Sequence, residues 1–262
     1  HGRRGIATRE ACLSPDGNAE KIYNRGTLKN MALYTIADTH LSFGCDKPMD
    51  IFKGWTDYTQ RLSAKWNALV EPSDTVVIPG DISWAMTLGE AAADFRFLDA
   101  LPGTKIIGKG NHDYWWQTMS KLDIFLRENG FSTIKFLFNN AYRVGDIAVC
   151  GARGWFFDAA GADSEENRRV IDREAGRLAR SIEAGIQTGG EPVAFMHYPV
   201  ACDGCVCEPI MTVLKKYGIR RCYFGHIHGD RTGRFADFTV DGVRFSLVSS
   251  DFLAFCPKSV AP

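Results

Sequence analysis

From Met31 onward the chain alternates short apolar runs with longer amphipathic stretches, and that alternation limits it to folds that stack helices against a sheet. The apolar runs predict strands at residues 32–37, 75–79, 105–108, 147–151, 193–196 and 221–224. The amphipathic stretches predict helices at 55–70, 88–100, 114–128 and 164–184. In the first of these, Trp55, Tyr58, Leu62, Trp66 and Leu69 recur on one face; the second opens behind a Thr87-x-x-Glu90 capping box. Farther along, Asp241-Gly242 separates Phe238-Thr239-Val240 from Val243-Arg244-Phe245. That hairpin signal adds antiparallel strands and makes the sheet system mixed. With 262 residues, 45% of them hydrophobic, there is enough chain for one large α/β domain or at most two small ones.

The first thirty residues differ in kind from the rest. Residues 1–30 are rich in Gly, Arg, Asn and Glu and carry no sustained periodicity. They read as an N-terminal extension: non-native or poorly ordered sequence ahead of a natural start at Met31, or else a genuine arm that packs on the domain at 31–262. Lys plus Arg equals Asp plus Glu at 31 each, so no global field draws the protein to nucleic acid or to an anionic membrane. Any recognition of phosphate must be local. No stretch approaches the roughly 18 apolar residues of a membrane-spanning helix, and no leader-like segment opens the sequence. The expected location is therefore cytoplasmic, where the eight cysteines stay mostly as reduced thiols.

The polar residues that follow the predicted strands carry the functional signal. Asp38-Thr39-His40 follows the first, Gly80-Asp81 the second, and Gly110-Asn111-His112-Asp113 the third. His197 follows the fifth, and Gly225-His226-Ile227-His228 the sixth. In open α/β sheets the carboxyl ends of the strands converge on one crevice, so residues far apart in sequence meet there. Five of the six histidines in the chain fall in these segments. Taken singly, each residue has an ordinary structural reading, as a helix cap, a turn former or a packed imidazole. Together they form a set with metal-ligand chemistry. A string such as Gly-Asn-His-Asp arises by accident in on the order of one chain in several hundred of this length, and five such segments far more rarely.

These residues resemble the signature of the calcineurin-like metallophosphoesterase superfamily: Asp-x-His, Gly-Asp, Gly-Asn-His-Asp/Glu, a lone His, then Gly-His-x-His. The match runs from Asp38 to His228 with no element missing. The resemblance implies a four-layer sandwich of two mixed β-sheets flanked by α-helices, with a binuclear metal centre at the sheet edge. It implies that Asp38, His40, Asp81 and His228 hold one divalent cation, and that Asn111, His197, His226 and the shared Asp81 hold the other. Two such cations activate a bridging water toward a pKa of ~7 and clamp the phosphoryl oxygens. Mn, Fe, Zn, Co and Ni all suit these ligand types. His112 is similar to the family histidine that stays off the metals, paired with Asp113, and protonates the leaving oxygen or stabilises its charge.

Other residues are read from position alone. Arg153 follows a strand and is placed to grip a phosphate oxygen, with Asn111 as a second substrate contact; an ion-paired Arg is the alternative. Trp84, Tyr114, Trp115, Trp116, Trp155, Phe156 and Phe157 flank the motif loops and are candidates to wall a ring-binding pocket, against plain packing. Cys202-x-x-Cys205-x-Cys207 has metal-like spacing without an obvious fourth ligand. The segment Gly80-Asp81-Ile82-Ser83-Trp84-Ala85-Met86 lacks the arginine of the superfamily's protein phosphatases, which argues against a protein substrate. The expected function is hydrolysis of a small phosphodiester, phosphomonoester or nucleotide by a metal-bridging hydroxide. A non-catalytic scaffold for protein partners, or a nuclease, is the alternative, and nucleic acid is not favoured. No membrane association is expected, and oligomeric state is left open.

Overall fold

The computed structural model describes residues 31–155 and 164–260. The reading of 1–30 as an extension, and of Phe156 and Phe157 as pocket walls, lies outside the described residues. In chain order the elements begin with β1 (Leu33–Thr35), α1 (Tyr58–Leu69), β2 (Thr75–Pro79), α2 (Leu88–Ala100), β3 (Thr104–Gly108) and α3 (Met119–Asn129). Then come β4 (Ile134–Phe136), β5 (Tyr142–Val144), β6 (Ile147–Ala152), α4 (Glu165–Gln187), β7 (Glu191–Met196), β8 (Ala201–Cys202) and β9 (Cys205–Val206). The last are α5 (Glu208–Lys216), β10 (Arg221–Phe224), β11 (Asp237–Val240), β12 (Val243–Leu247) and β13 (Lys258–Ser259).

Two mixed sheets result, beside the small β8–β9 hairpin. The first has the order β13-β1-β2-β3-β4, parallel except for β13. The second has the order β11-β12-β10-β7-β6-β5, parallel in its centre with antiparallel strands at both edges. Side chains alternate across each strand, so successive residues enter different layers. Val76 and Ile78 pack under α1, α2 and α3 with Leu62, Trp66, Phe95 and Leu122, while Val77 faces the other sheet. Cys150, Ala194, Met196 and Phe224 pack under α4 and α5 with Leu178, Ile182, Ile210 and Leu214. Between them, Val149, Val193, Phe195 and Tyr223 meet Val77 and Ile106 from the first sheet. The layers are therefore helix, sheet, sheet, helix, an α/β sandwich. Burial on both faces explains why the central strands read as continuous apolar runs; each such Val, Ile or Phe contributes about 1.5–3 kcal/mol.

Local signals set the element ends. Thr87 accepts a hydrogen bond from the Glu90 amide, and Glu90 accepts one from the Met86 amide, at the start of α2. Asp241 (φ 51°) and Gly242 (φ 80°) give the two positive angles that a tight hairpin needs between β11 and β12. Several predicted boundaries move, two of them for reasons that bear on the site. The helix expected from Tyr114 begins at Met119, because the Tyr114 and Trp116 amides turn back onto the His112 and Asp113 carbonyls. The strand expected to reach Ala37 ends at Thr35, because beyond it the chain crosses to the other sheet. The Ala37 amide donates to the Val248 carbonyl at 2.7 Å, and the Ser250 amide donates to the Ala37 carbonyl at 2.9 Å. This crossing ties the carboxyl edges of the two sheets together, where the motif loops emerge.

Candidate active site

Three of the five motif segments leave their strands through a sharp backbone reversal. Asp38 (φ 57°), His40 (φ 44°), Asp81 (φ 52°) and His226 (φ 71°) all sit in the left-handed region, which costs of order 1–3 kcal/mol for a non-glycine residue. Neighbouring loops hold them there: the Asp38 amide donates to the Gly80 carbonyl, and the His40 amide to the Asp81 carbonyl. The motif glycines make room. A Cβ on Gly110 would lie 2.0 Å from Asp81 Oδ1, and one on Gly80 would lie 2.6 Å from the Gly110 nitrogen.

The strand ends bring seven side chains into one cup. His40 Nε2 lies 3.2 Å from His228 Nε2 and 3.8 Å from Asp81 Oδ2. His197 Nε2 lies 3.5 Å from Asp81 Oδ1, and its Nδ1 lies 3.7 Å from Asp38 Oδ1. The Asn111 amide oxygen faces two imidazoles at once, His197 Nε2 at 2.6 Å and His226 Nδ1 at 3.0 Å. Two groups, Asp38–His40–His228 and Asp38–Asp81–His197, present donor atoms within 4.8 Å of one another. The cup opens into a cavity of about 450 Å³ lined by His40, Met49, Trp55, Trp84, His112 and His228 among others.

Electrostatics make this cluster a poor neighbour to itself. Burial, with the charges of Asp113 and Asp38, pushes the Asp81 carboxyl up to about 9, and burial pushes Asp38 to about 6. Burial, followed by the charges of neighbouring imidazoles, holds His40 and His197 well below the usual histidine range and His226 at about 4. His228 goes the other way: burial lowers it, but the Asp251 hydrogen bond and the charges of Asp38 and Asp251 outweigh that. His40 Nδ1 and His197 Nδ1 are buried without hydrogen-bond partners, an expensive state for imidazole. Buried carboxylates that resist ionising, neutral imidazoles and one amide oxygen all aimed at the same space are what a divalent cation relieves. The donor set fits a metal.

A family model for the calcineurin-like phosphoesterases matches residues 31–230. The chain belongs to that family. Among solved structures it is similar to TT1561 of Thermus thermophilus, at 11% identity and a TM-score of 0.53, covering 88% of this chain and 98% of that one. Two further similarities have TM-scores of 0.47. One is to AQ665 of Aquifex aeolicus, a protein of unknown function, at 16% identity, with 88% and 96% of the two chains covered. The other is to a phosphopantetheinyl hydrolase of Mycobacterium tuberculosis, at 15% identity, with 89% and 96% covered. No curated protein matches the chain. The likeness to TT1561 speaks to the fold alone.

Within this phosphoesterase, several expectations need correction. Asp113 is not paired with His112. Its Oδ2 accepts from the Asp81 and Gly110 amides at 2.9 and 2.7 Å, and its Oδ1 accepts from the Ile82 amide at 2.8 Å and the Trp115 indole at 3.1 Å. With both oxygens committed, the carboxylate clamps the two loops that carry Asp81 and Asn111. His112 Nδ1 is left buried without a hydrogen-bond partner, its ring packed 4.3 Å from Trp84. Trp115 is a fully buried core residue against Phe95 rather than a pocket wall. Trp84 does line the cup, stacked on His40 at 4.8 Å, and Tyr114 stands exposed beside His112. Arg153, Trp116 and Trp155 line a neighbouring cavity instead. Cys202 faces Cys205 across the β8–β9 hairpin, and among the described residues no cysteine joins either potential metal group.

One residue escaped the sequence reading. Asp251 accepts from His228 Nδ1 at 2.9 Å and from the Gly229 amide at 2.8 Å, so it orients the ring whose Nε2 faces His40. The signal was faint: a polar Ser249-Ser250-Asp251 triplet just after the second hairpin strand.

Proposed function

We propose that the chain is a two-cation phosphoesterase acting on a small ester, with a diester or nucleotide ahead of a phosphomonoester. The observation that carries this reading is the convergence of Asp38, His40, Asp81, Asn111, His197, His226 and His228 on one space, with contacts of 2.6–3.9 Å. Cations held by those residues supply Lewis acidity toward the phosphoryl oxygens and an activated water. The chain's own residues do the rest. Asp81, facing His40 and His197 from its two oxygens, is the carboxylate that would be shared between the two cations. Asp251 fixes the His228 ring. His112 lines the cavity with its ring 5.8 Å from His40 and 4.3 Å from Trp84, where it is placed to hand a proton to the leaving oxygen or to stabilise its charge. Trp84, Trp55 and Met49 give the cavity an apolar wall that excludes water and accepts an organic substituent.

Elemental analysis, with hydrolysis of p-nitrophenyl phosphate and bis(p-nitrophenyl) phosphate under added Mn²⁺, Fe²⁺, Co²⁺, Ni²⁺ or Zn²⁺, tests the reading. Two metal ions per chain and turnover of the diester are expected. Metal-loaded protein inert toward both esters with every cation would instead favour a scaffold. Net charge is zero, which disfavours a nuclease that relies on a basic surface. Among the described residues no helix is long and apolar enough to cross a membrane.

A further inference from the structure

Beside the metal cup lies a second and larger cavity, about 780 Å³, that the proposed chemistry leaves unused. Four cations line it: Lys109, Arg153, Arg173 and Arg177, against one carboxylate, Glu174. Glu174 is buried and shared, paired with Arg177, 3.7 Å from Arg153 Nη2, and accepting the Gly154 amide at 3.2 Å. It neutralises one charge among four. Lys109 and Arg173 have no ion-pair partner among the described residues, and Arg153 Nε is buried with no hydrogen bond. Lys109 is half-buried, and the charges of Arg153 and Arg177 oppose its ammonium while those of Asp113 and Glu174 favour it. Lys109, Arg153 and Arg177 are partly desolvated like charges in one concavity, costly unless an anion joins them, while Arg173 is exposed. Rings complete the lining: Trp116, Phe138 and Trp155, with Arg177 5.2 Å over Phe138 and Arg153 5.1 Å over Trp155.

Backbone and ring contacts link the walls of this cavity to the cup. Lys109 immediately precedes Gly110-Asn111, so its backbone belongs to the loop that carries a metal-site amide. The Arg153 carbonyl accepts from the Tyr198 amide at 2.9 Å, next to His197. The Tyr198 ring packs 5.7 Å from Trp155, which lines this cavity, and 4.4 Å from His226, which lines the cup.

We propose that the Lys109–Arg153–Arg173–Arg177 cavity is a recognition subsite for a second anionic group on the substrate, carried with a planar ring. The favoured substrate class is then a nucleotide bearing more than one phosphate, one at the cup and one in this cavity. This rests on the phosphoesterase reading for the cup, yet the subsite is tested by binding. The full-length, metal-loaded protein is titrated with adenosine 5′-monophosphate and with adenosine 3′,5′-bisphosphate. Stopped-flow tryptophan fluorescence reports binding before turnover accumulates, since Trp116 and Trp155 line the cavity. In the wild type the second phosphate raises affinity about ten- to hundredfold, the worth of one charge-assisted contact. Lys109→Gln and, separately, Arg173→Gln reduce that gain to about threefold or less. Neither variant breaks an ion pair, so both fold. Equal affinity for the two nucleotides in the wild type, binding of neither, or a gain that survives both substitutions overturns the proposal. A chain that shows the gain but hydrolyses no ester with any cation keeps the subsite and loses the phosphoesterase reading.

Discussion

Replacing Asp113 with Asn separates a clamp from a catalyst. The carboxylate accepts close hydrogen bonds on both oxygens, from the Asp81 and Gly110 amides on one and from the Ile82 amide and the Trp115 indole on the other. An Asn side chain of the same shape turns one oxygen into an NH₂ group. Whichever way the amide lies, it then points a donor at two donors. Two charge-assisted bonds at about 1.5–3 kcal/mol each are lost, so Asp113→Asn costs on the order of 3–6 kcal/mol. A domain of this kind has only about 5–15 kcal/mol in total. Burial raises the Asp113 carboxyl to about 6, and its backbone donors keep it from rising further, so it is ionised at pH 7.5. Urea unfolding followed by circular dichroism at pH 7.5 reads the loss as a lower midpoint at unchanged slope. Metal content falls in parallel, because the clamp positions Asp81 and Asn111. A variant within ~1 kcal/mol of wild type that keeps its metals but loses turnover would refute the clamp and restore Asp113 as the partner of His112.

Three other outcomes are expected. His112→Ala retains metal, because His112 is assigned to the leaving group rather than to the ligand set, while turnover falls about 10²–10⁴-fold; equal loss of metal by elemental analysis moves His112 into the ligand set. Asp251→Asn weakens metal affinity about 10–100-fold in a chelator competition, through a His228 ring no longer held by charge, and unchanged affinity would remove Asp251 from the site. Lys105, whose ammonium donates to the Leu101 and Gly103 carbonyls, is lowered to about 8 by burial. Between pH 8 and the unfolded value near 10.5 the unfolded chain binds the extra proton, so this group adds stability as pH rises. The urea midpoint of wild type rises relative to that of Lys105→Met across that window; a constant difference rejects the buried ammonium.

Much of the framework was readable from pattern. The runs at 75–79 and 221–224 coincide with β2 and β10, and α2 opens behind the Thr87 box, because a strand buried on both faces and a capped amphipathic helix leave local signatures. Short elements escaped: β4, β5, β8, β9 and α5 have too few residues for periodicity to register, and α5 is obscured by the cysteine-rich turn before it. The start of α3 was misplaced because Asp113 pulls residues 114–118 into turns through bonds to loops more than twenty-five positions away.

From the order of residues alone came the α/β class, the strand ends that bear Asp38, Asp81, Asn111, His197 and His226, and the chemistry those side chains share. These are matters of composition and local spacing, which the chain carries wherever it folds. Tertiary structure alone decided that Asp113 serves backbone amides rather than His112, that Asp251 stands behind His228, and that Arg153 looks into a second cavity. Each depends on which partner arrives within about 3 Å across the sheet edge. That proximity belongs to the packing of two twisted sheets, and no local pattern encodes it.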